Sequence, residues 1–401
     1  MTTATTRRKA MAAVVAFGVV SLLADIVYEG GRSIVGPYLL TLGASASTVG
    51  LVAGIGEFVG YALRLAAGII ADRTRSYWTM TIAGYGLTVV AVPLLGLVGR
   101  VDLALGLVVA ERLGKAIRSP ARDTLLAEAS TPLGVGWGFG LHEALDQTGA
   151  VVGPLLLAGV LAARRGDYPF AFGILAIPGV LVLAALVSAH RLMSKDSPPV
   201  HSGGAVAPAA PGGPQERWYL AFVFVSALGF APFPLIAFHV ASRGLTSDAV
   251  VPLMFAVAMA TDAGVALISG RMYDRRGLRA LIVLPALSLL AAAAFTPSMS
   301  FVWVGSLSWG AVMGIQESTL RAAVAELSAP QRRATAYGIF NTAYGLALLI
   351  GGALLGLLYE WSLPALVAFV AAAQVAASLI LRRVMLTSAP GAGDGRRSRV
   401  H

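Results

Sequence analysis

Four carboxylates sit where apolar sequence should exclude them. Asp25 and Glu29 lie four positions apart in the first apolar stretch, and Glu143 and Asp146 lie three apart in the fifth. At helical spacing each pair shares one face. A charge in hydrocarbon costs at least about 2.5–3.5 kcal/mol on insertion scales, so such residues are rare and mark polar paths or proton relays. Carboxylates in a low-dielectric cavity can exchange protons near neutral pH, and the chemistry expected of these four is reversible protonation coupled to transport. Arg112, in the fourth stretch, is the cation expected to tune them. Arg32 completes the face of Asp25 and Glu29 at i+7 and can pair with Glu29, which leaves Asp25 freer. Tyr28 lies beside them.

Each of these charges has a second reading, as an ion pair that holds two helices together. That reading is preferred for Glu57 and Arg64, seven apart on the second stretch, and for Arg118, Arg122 and Arg321 near helix ends. The fourth stretch carries Glu111, Lys115, Arg118 and Arg122 as one stripe. Arg122 and Asp123 are expected to join a loop network with Asp72. His142 is either a proton relay next to Glu143 or a hydrogen-bonding contact between helices. The second half of the chain is sparser in charge, with His239, Asp262, Gln316, Glu317 and Arg321. Phe230, Pro232 and Pro234 break the seventh stretch, and Trp309, Gln316 and Glu317 mark the tenth. Tyr337, Phe340, Asn341 and Tyr344 recur at helical spacing on the eleventh. Aromatic and amide groups on one face either line a cavity for amphipathic cargo or pack between helices. The residues expected in a substrate cavity are Tyr28, Arg32, Glu57, Arg64, His142, Phe230, Asp262, Trp309, Gln316, Glu317, Phe340, Asn341 and Tyr344.

The elements that position these groups are transmembrane helices. Of 401 residues 57% are hydrophobic and 12% charged, against about 25% charged in soluble domains, and mean hydropathy is +0.77. Apolar stretches long enough to span a bilayer fall at roughly 11–41, 47–70, 78–99, 102–122, 134–162, 169–190, 217–241, 248–270, 280–297, 300–325, 334–358 and 362–383. They are too long, and too rich in Ala, Leu and Gly, for barrel strands. The reading is an all-α membrane protein of twelve transmembrane helices in two six-helix, pseudo-symmetric halves. The net charge of +10 follows membrane topology, so no nucleic acid partner is expected. With the N-terminus in the cytoplasm, nineteen Lys and Arg fall in inner segments and four in outer ones, which places both termini inside. The domains expected are a six-helix bundle at 1–190, a flexible Pro- and Gly-rich cytoplasmic linker at 191–216, a second bundle at 217–385 and a disordered tail at 386–401. Pro154 is expected to kink the fifth helix. No cysteine is present.

A short motif occurs at the same place in both halves. Gly68, Asp72 and Arg73 recur 202 positions later as Gly270, Asp274 and Arg275, the signature of a duplicated transporter. Together with twelve spans and a central linker, the motif resembles that of the major facilitator superfamily, whose loop signature reads G-x-x-x-D-R-x-G-R. In the first copy Arg75 and Ser76 replace the late Gly and Arg; the second copy keeps Gly277, with Arg279 supplying the late charge. The resemblance, over about residues 9–385, implies that Gly68, Asp72, Arg73, Asp123, Gly270, Asp274 and Arg275 form the gating loops. Arg112 and Gly114 loosely match a second family motif. Gly149, Gly153 and Pro154 match half of a third that is associated with antiporters. The segment Gly314 to Gly345 is similar to a common group of prokaryotic facilitators.

The function expected is a proton-coupled secondary transporter working by alternating access. It would export a small amphipathic or cationic compound by proton antiport. The alternative is a proton symporter importing a small metabolite, possibly an anion with Arg32, Arg64 or Arg112 as counter-ion. An enzyme is not expected: no nucleotide loop is present, the five histidines show no metal-ligand spacing, and the carboxylate pairs lack a nucleophile. No cofactor or metal is expected. The partners expected are the substrate, protons and lipid. The chain is expected as a monomer in a prokaryotic inner membrane.

Overall fold

A computed structural model of the chain describes residues 3–193, 213–328 and 333–387. The linker and tail expected at 191–216 and 386–401 lie almost wholly outside the described residues. Among those residues there is no strand. Helix is the outcome for apolar segments of this length, because it satisfies every backbone N–H and C=O within the segment.

Among the described residues the helices group into twelve passages. The first six are α1 (Thr3–Thr41), α2 (Ala46–Thr74), α3 (Tyr77–Leu94), α4 (Val101–Ser130), α5 (Val135–Arg164), and α6 (Tyr168–Ile174) continued by α7 (Ala176–Met193). The seventh is α8 (Pro214–Leu228) and α9 (Phe233–Ser242), interrupted where Phe230, Pro232 and Pro234 predict a break. Then come α10 (Val250–Arg276) and a passage of α11 (Val283–Ala291) flanked by 3-10 turns. The tenth passage is α12 (Met299–Ile315), a π-helical turn (Gln316–Leu320) and α13 (Arg321–Leu327). The last two are α14 (Arg333–Trp361) and α15 (Leu363–Thr387).

Nine stretches of the described residues are long and apolar enough to cross a membrane. One of them, Val250–Phe295, holds two passages, separated by Gly277, whose φ of 56° ends α10. Two passages fall outside those nine. α4 is loaded with ionisable residues, and α12 gives way to the π turn after 17 residues.

Both Asp-Arg motifs sit where expected, at a helix end. α2 closes through Arg75 in the left-handed region (φ 54°), and α10 closes at Gly277. Two helix starts are capped by side chains: Ser45 accepts from the Thr48 N–H at 3.2 Å to open α2, and Asp167 accepts from the Phe170 N–H at 3.0 Å to open α6.

Small residues let helices meet at backbone distance. A Cβ on Gly149 or Gly153 would lie 2.2 Å from the Leu22 carbonyl or 2.5 Å from that of Ile26, so the half-matched antiporter motif packs α5 against α1. α5 runs on through Pro154 as one helix. α2 and α14 touch in the same way, since a Cβ on Gly50 would fall 2.2 Å from the Gly352 carbonyl. Backbone cannot yield as a flexible side chain can. Gly50→Leu is therefore expected to cost about 1–3 kcal/mol and to lower the thermal midpoint of the purified protein. Gly106→Leu, at an open position, is expected to leave it unchanged. Equal midpoints for both variants would contradict the α2–α14 contact.

Candidate functional site

A cavity of about 180 Å³ lies between α1, α2, α4 and α5 on one side and residues 230–232, α10, α12, the π turn and α14 on the other. Its wall carries Asp25, Glu29, Glu143, Asp146 and Arg112, the five residues expected in proton coupling. It also carries Tyr28, Arg32, Glu57, Arg64, Phe230, Asp262, Trp309, Glu317 and Tyr344 from the expected substrate cavity.

Four expected cavity residues are not on the wall. His142 is buried against α1, with Nε2 2.6 Å from Ser21 Oγ, so its place is that of a contact between helices. Gln316 accepts from the Tyr344 hydroxyl at 2.6 Å, off the stripe of Trp309, Met313 and Glu317 that runs along the wall at four-residue spacing. Phe340 stacks on Tyr344 (5.9 Å, 11°) one turn before the wall begins. Asn341 is likewise off it.

Glu57 is the node of the charge network. Its Oε1 accepts Arg32 Nη2 at 3.0 Å and lies 3.2 Å from Arg112 Nη2. Arg32 also reaches Glu29 at 3.5 Å, as the i, i+3 spacing predicts, and Arg112 reaches Glu111 at 3.4 Å. Arg112 donates to the Tyr28 hydroxyl, and the charges of Arg112 and Lys115 lie 5.0 and 3.8 Å from the centre of the Tyr28 ring. One carboxylate on α2 thus fastens a cation on α1 to a cation on α4. Arg64 does not pair with Glu57; it lies over the Tyr61 ring at 4.9 Å.

The wall holds eight carboxylates and seven cations, so its total charge is near balance and commitment decides what is available. Glu29, Glu57 and Asp123 have a cation within 4 Å. Asp25, Glu143, Asp146, Asp262 and Glu317 have none among the described residues. The charges acting most strongly on Asp25 are Asp146 and Lys115.

Arg118, Arg122 and Tyr61 are among the wall residues that were not singled out as cavity groups by the sequence. Arg118, fully buried, donates to Thr88 Oγ1 at 2.9 Å and lies over Tyr85. Arg122 pairs with Asp123 at 2.7 Å and donates to Ser21 Oγ at 3.3 Å. Tyr61, edge-on to Tyr344 at 5.0 Å, had no signal beyond being aromatic. Among the described residues no group of three or more His, Cys, Asp or Glu is placed to hold a metal ion.

The cavity is closed at one end of the bundle. There Gly36 meets the Pro234 backbone, and Gly356 meets that of Ala46. The Ser47 N–H, in the first turn of α2, donates to Glu360 Oε1 at 2.7 Å, and the Tyr168 hydroxyl donates to Asp248 Oδ1 at 2.7 Å. Every one of these contacts joins a segment before residue 194 to one after residue 212. At this end the wall is buried: Trp309 is 1% exposed. Toward the other end Glu143 and Arg321 are exposed and the Asp123 side chain is 46% exposed. The cavity therefore opens toward the end that carries the N-terminus and both Asp-Arg turns.

The turns themselves are loose. Asp72, Arg73, Asp274 and Arg275 are exposed. The expected link of Arg122 and Asp123 to Asp72 is not formed: Asp72 instead accepts from the Tyr77 hydroxyl at 2.9 Å, and Asp123 faces the cavity. Gly68 lies near Pro120 of α4, and Gly270 has open space around it.

Removing one partner of a buried ion pair costs about 3–5 kcal/mol, because the other charge is left uncompensated. Glu57→Ala leaves Arg32 and Arg112 with only their longer contacts to Glu29 and Glu111 and is expected to lower the thermal midpoint. Glu57→Ala combined with Arg32→Ala is expected to recover part of the loss. A single variant as stable as the parent would show that the node is not structural.

With this geometry, comparison with known proteins is informative. A model of the Major Facilitator Superfamily matches residues 12–352 and 220–399. An uncharacterized protein of Mycobacterium tuberculosis is 49% identical over 379 residues, with 93% of each chain covered. An uncharacterized transporter of the same superfamily from Methanocaldococcus jannaschii is 25% identical, covering 86% of this chain and 88% of its own. Among solved structures, the nucleoside transporter NupG superposes with a TM-score of 0.71 at 12% identity, covering 94% of this chain and 100% of its own. A bacterial homolog of the human lysosomal transporter Spinster, inward-facing and occupied, gives 0.67 at 17%, covering 93% and 94%. A POT family transporter in complex with 5-aminolevulinic acid gives 0.71 at 14%, covering 94% and 96%. The twelve-passage architecture and the matched sequence agree: the chain belongs to the Major Facilitator Superfamily and is a membrane transporter rather than an enzyme.

Proposed function

We propose that this transporter is proton-coupled and works by alternating access, exporting a small amphipathic or cationic compound in exchange for protons. The observation that carries the reading is Asp25. It is 6% exposed, lines the cavity, and has neither an ion pair nor a hydrogen bond among the described residues. Asp146 is the charge nearest in effect, with Lys115 opposing it. A carboxylate so placed must lose its charge or gain a counter-charge whenever water leaves the cavity. Proton binding at this carboxylate and cargo binding in the same cavity are then coupled through the charge balance of its wall, which is the physical basis of exchange.

Sidedness follows from Lys and Arg, which concentrate at the end bearing the N-terminus and the Asp-Arg turns. With that end cytoplasmic, the conformation is inward-open, and the exposed Asp72 and Asp274 belong to gates that have let go. The moving bodies in this reading are the six-helix units 1–190 and 217–385, rocking about the cavity in an inner membrane, each transporter a monomer. Export rests on the uncommitted carboxylates. The glycine motif of α5 adds nothing to it, being explained by packing.

One observation favours the alternative, import of an anion with protons. Arg32 and Arg112 are committed to Glu57, Glu29 and Glu111, but among the described residues Arg64 and Arg321 have no carboxylate within 4 Å. An anionic cargo would bind there.

The two readings separate in everted vesicles loaded with a pH-sensitive dye. Adding a lipophilic cation to energised vesicles is expected to release protons, and Asp25→Asn and Asp146→Asn are each expected to abolish that release without loss of folded protein. Gradient-driven accumulation at the parental rate in both variants would remove these two residues from coupling. Silence to cations with proton movement on adding organic anions would select import.

A further inference from the structure

A second acidic site faces the cavity from the other side. Asp262 on α10 is 2% exposed, and its Oδ1 is buried without a hydrogen-bond partner. α12 is pressed against it at Gly314, where a Cβ would stand 2.5 Å from the Asp262 carbonyl and 3.1 Å from Oδ1. Two residues later the helix widens into the π turn. Such turns are rare and are found at functional sites; this one contains Glu317, which lines the cavity, and Gln316, which is held by Tyr344.

Carboxylates lead among the charges around Asp262, with Glu317, Glu29 and Glu143 ahead of Arg32, and Arg32 is already held by Glu57 at 3.0 Å and Glu29 at 3.5 Å. Arg321, four residues beyond Glu317, stays outside 4 Å of it. Two turns earlier on the same wall, Trp309 stacks parallel to Phe230 (5.6 Å, 15°) and turns its only polar group away, its indole N–H donating to the Ala231 carbonyl at 2.9 Å. An aromatic surface beside uncommitted carboxylates is the pattern that recognises an organic cation.

We infer that Asp262 and Glu317 bind the positively charged head group of an aromatic amine or quaternary ammonium cargo, with Trp309 and Phe230 against its aromatic body. The site is separate from the Asp25–Asp146 proton site. This rests on the reading of the cavity as the transport site and names the cargo class for it.

The test uses the purified full-length protein in detergent and ethidium, a planar aromatic monocation, followed by fluorescence anisotropy. Asp262→Asn and Glu317→Gln are each expected to weaken binding about tenfold or more, as loss of one partner of a desolvated charge pair does. Asp102→Asn, on an exposed turn, serves as the control. Glu317 lies on the cavity surface, so its variant stands even where Asp262→Asn folds poorly. Parental affinity in both variants, or no binding by the parent protein, overturns the inference. The same variants in the vesicle assay separate it from the coupling proposal. If ethidium binding follows Asp262 and Glu317 but no protons move, the cation site stands and proton exchange falls. If protons move on adding ethidium and both variants bind it like the parent, the exchange stands and this site falls.

Discussion

A carboxylate or guanidinium within a hydrocarbon slab must have a counter-charge, a hydrogen bond or water. That constraint organises the molecule. The fourth passage is too charged to be read as an ordinary span, and it lies inside the bundle because Arg112 finds Glu57 and Glu111, Arg118 finds Thr88, and Arg122 finds Asp123. Glu57 serves two cations at once and so sets the relation of α1, α2 and α4. What cannot be paired faces the cavity, and the cavity is polar for that reason. The transport proposal is a consequence of the same accounting: the residues left over are the ones free to exchange a proton or a cargo.

The two ends of the cavity are held by different physics. At the sealed end, backbone packs on backbone through glycine, and a few directed hydrogen bonds close the seam. Glu360 reaching the first turn of α2 places a carboxylate at the positive end of a helix. Contacts of this kind are strong while aligned and vanish with a small displacement, as a gate requires. The long α2–α14 and α1–α5 contacts lack polar side chains at their tightest points. Such smooth surfaces suit helices that pivot against one another.

Much of this was legible in the sequence. The passages, the break at Phe230–Pro234 and the helix ends at the Asp-Arg turns follow from apolar length, proline and positive-φ positions. Asp25, Glu29, Arg32 and Tyr28 were placed on one wall by spacing alone, and they are there. What escaped was register and long-range pairing. Gln316 and Glu317 were named together with Trp309, but the wall follows the four-residue stripe of Trp309, Met313 and Glu317, and Gln316 is taken by Tyr344. Nothing local shows that Asp262 and Glu317, 55 positions apart, will line one cavity, or that Glu57 will take Arg32 and Arg112 rather than Arg64, its neighbour on the helix. His142 next to Glu143 invited a relay reading, yet adjacent residues on a helix point apart, and Ser21 was there to receive it. The half-matched glycine motif marks where α5 packs on α1 at backbone distance.

The central claim is a single cavity, open to the cytoplasm in this conformation, that can open to the other side. The chain has no cysteine, so single cysteines report without background. The most direct measurement places one at Met313, and in a second variant at Ala150, both on the wall. A membrane-impermeant thiol reagent is then applied to inside-out and right-side-out vesicles, with and without a proton gradient. The account predicts labelling from the cytoplasmic face at rest and a gradient-dependent gain of labelling from the opposite face. Absence of labelling from both faces, or labelling from one face that no gradient shifts, would contradict it.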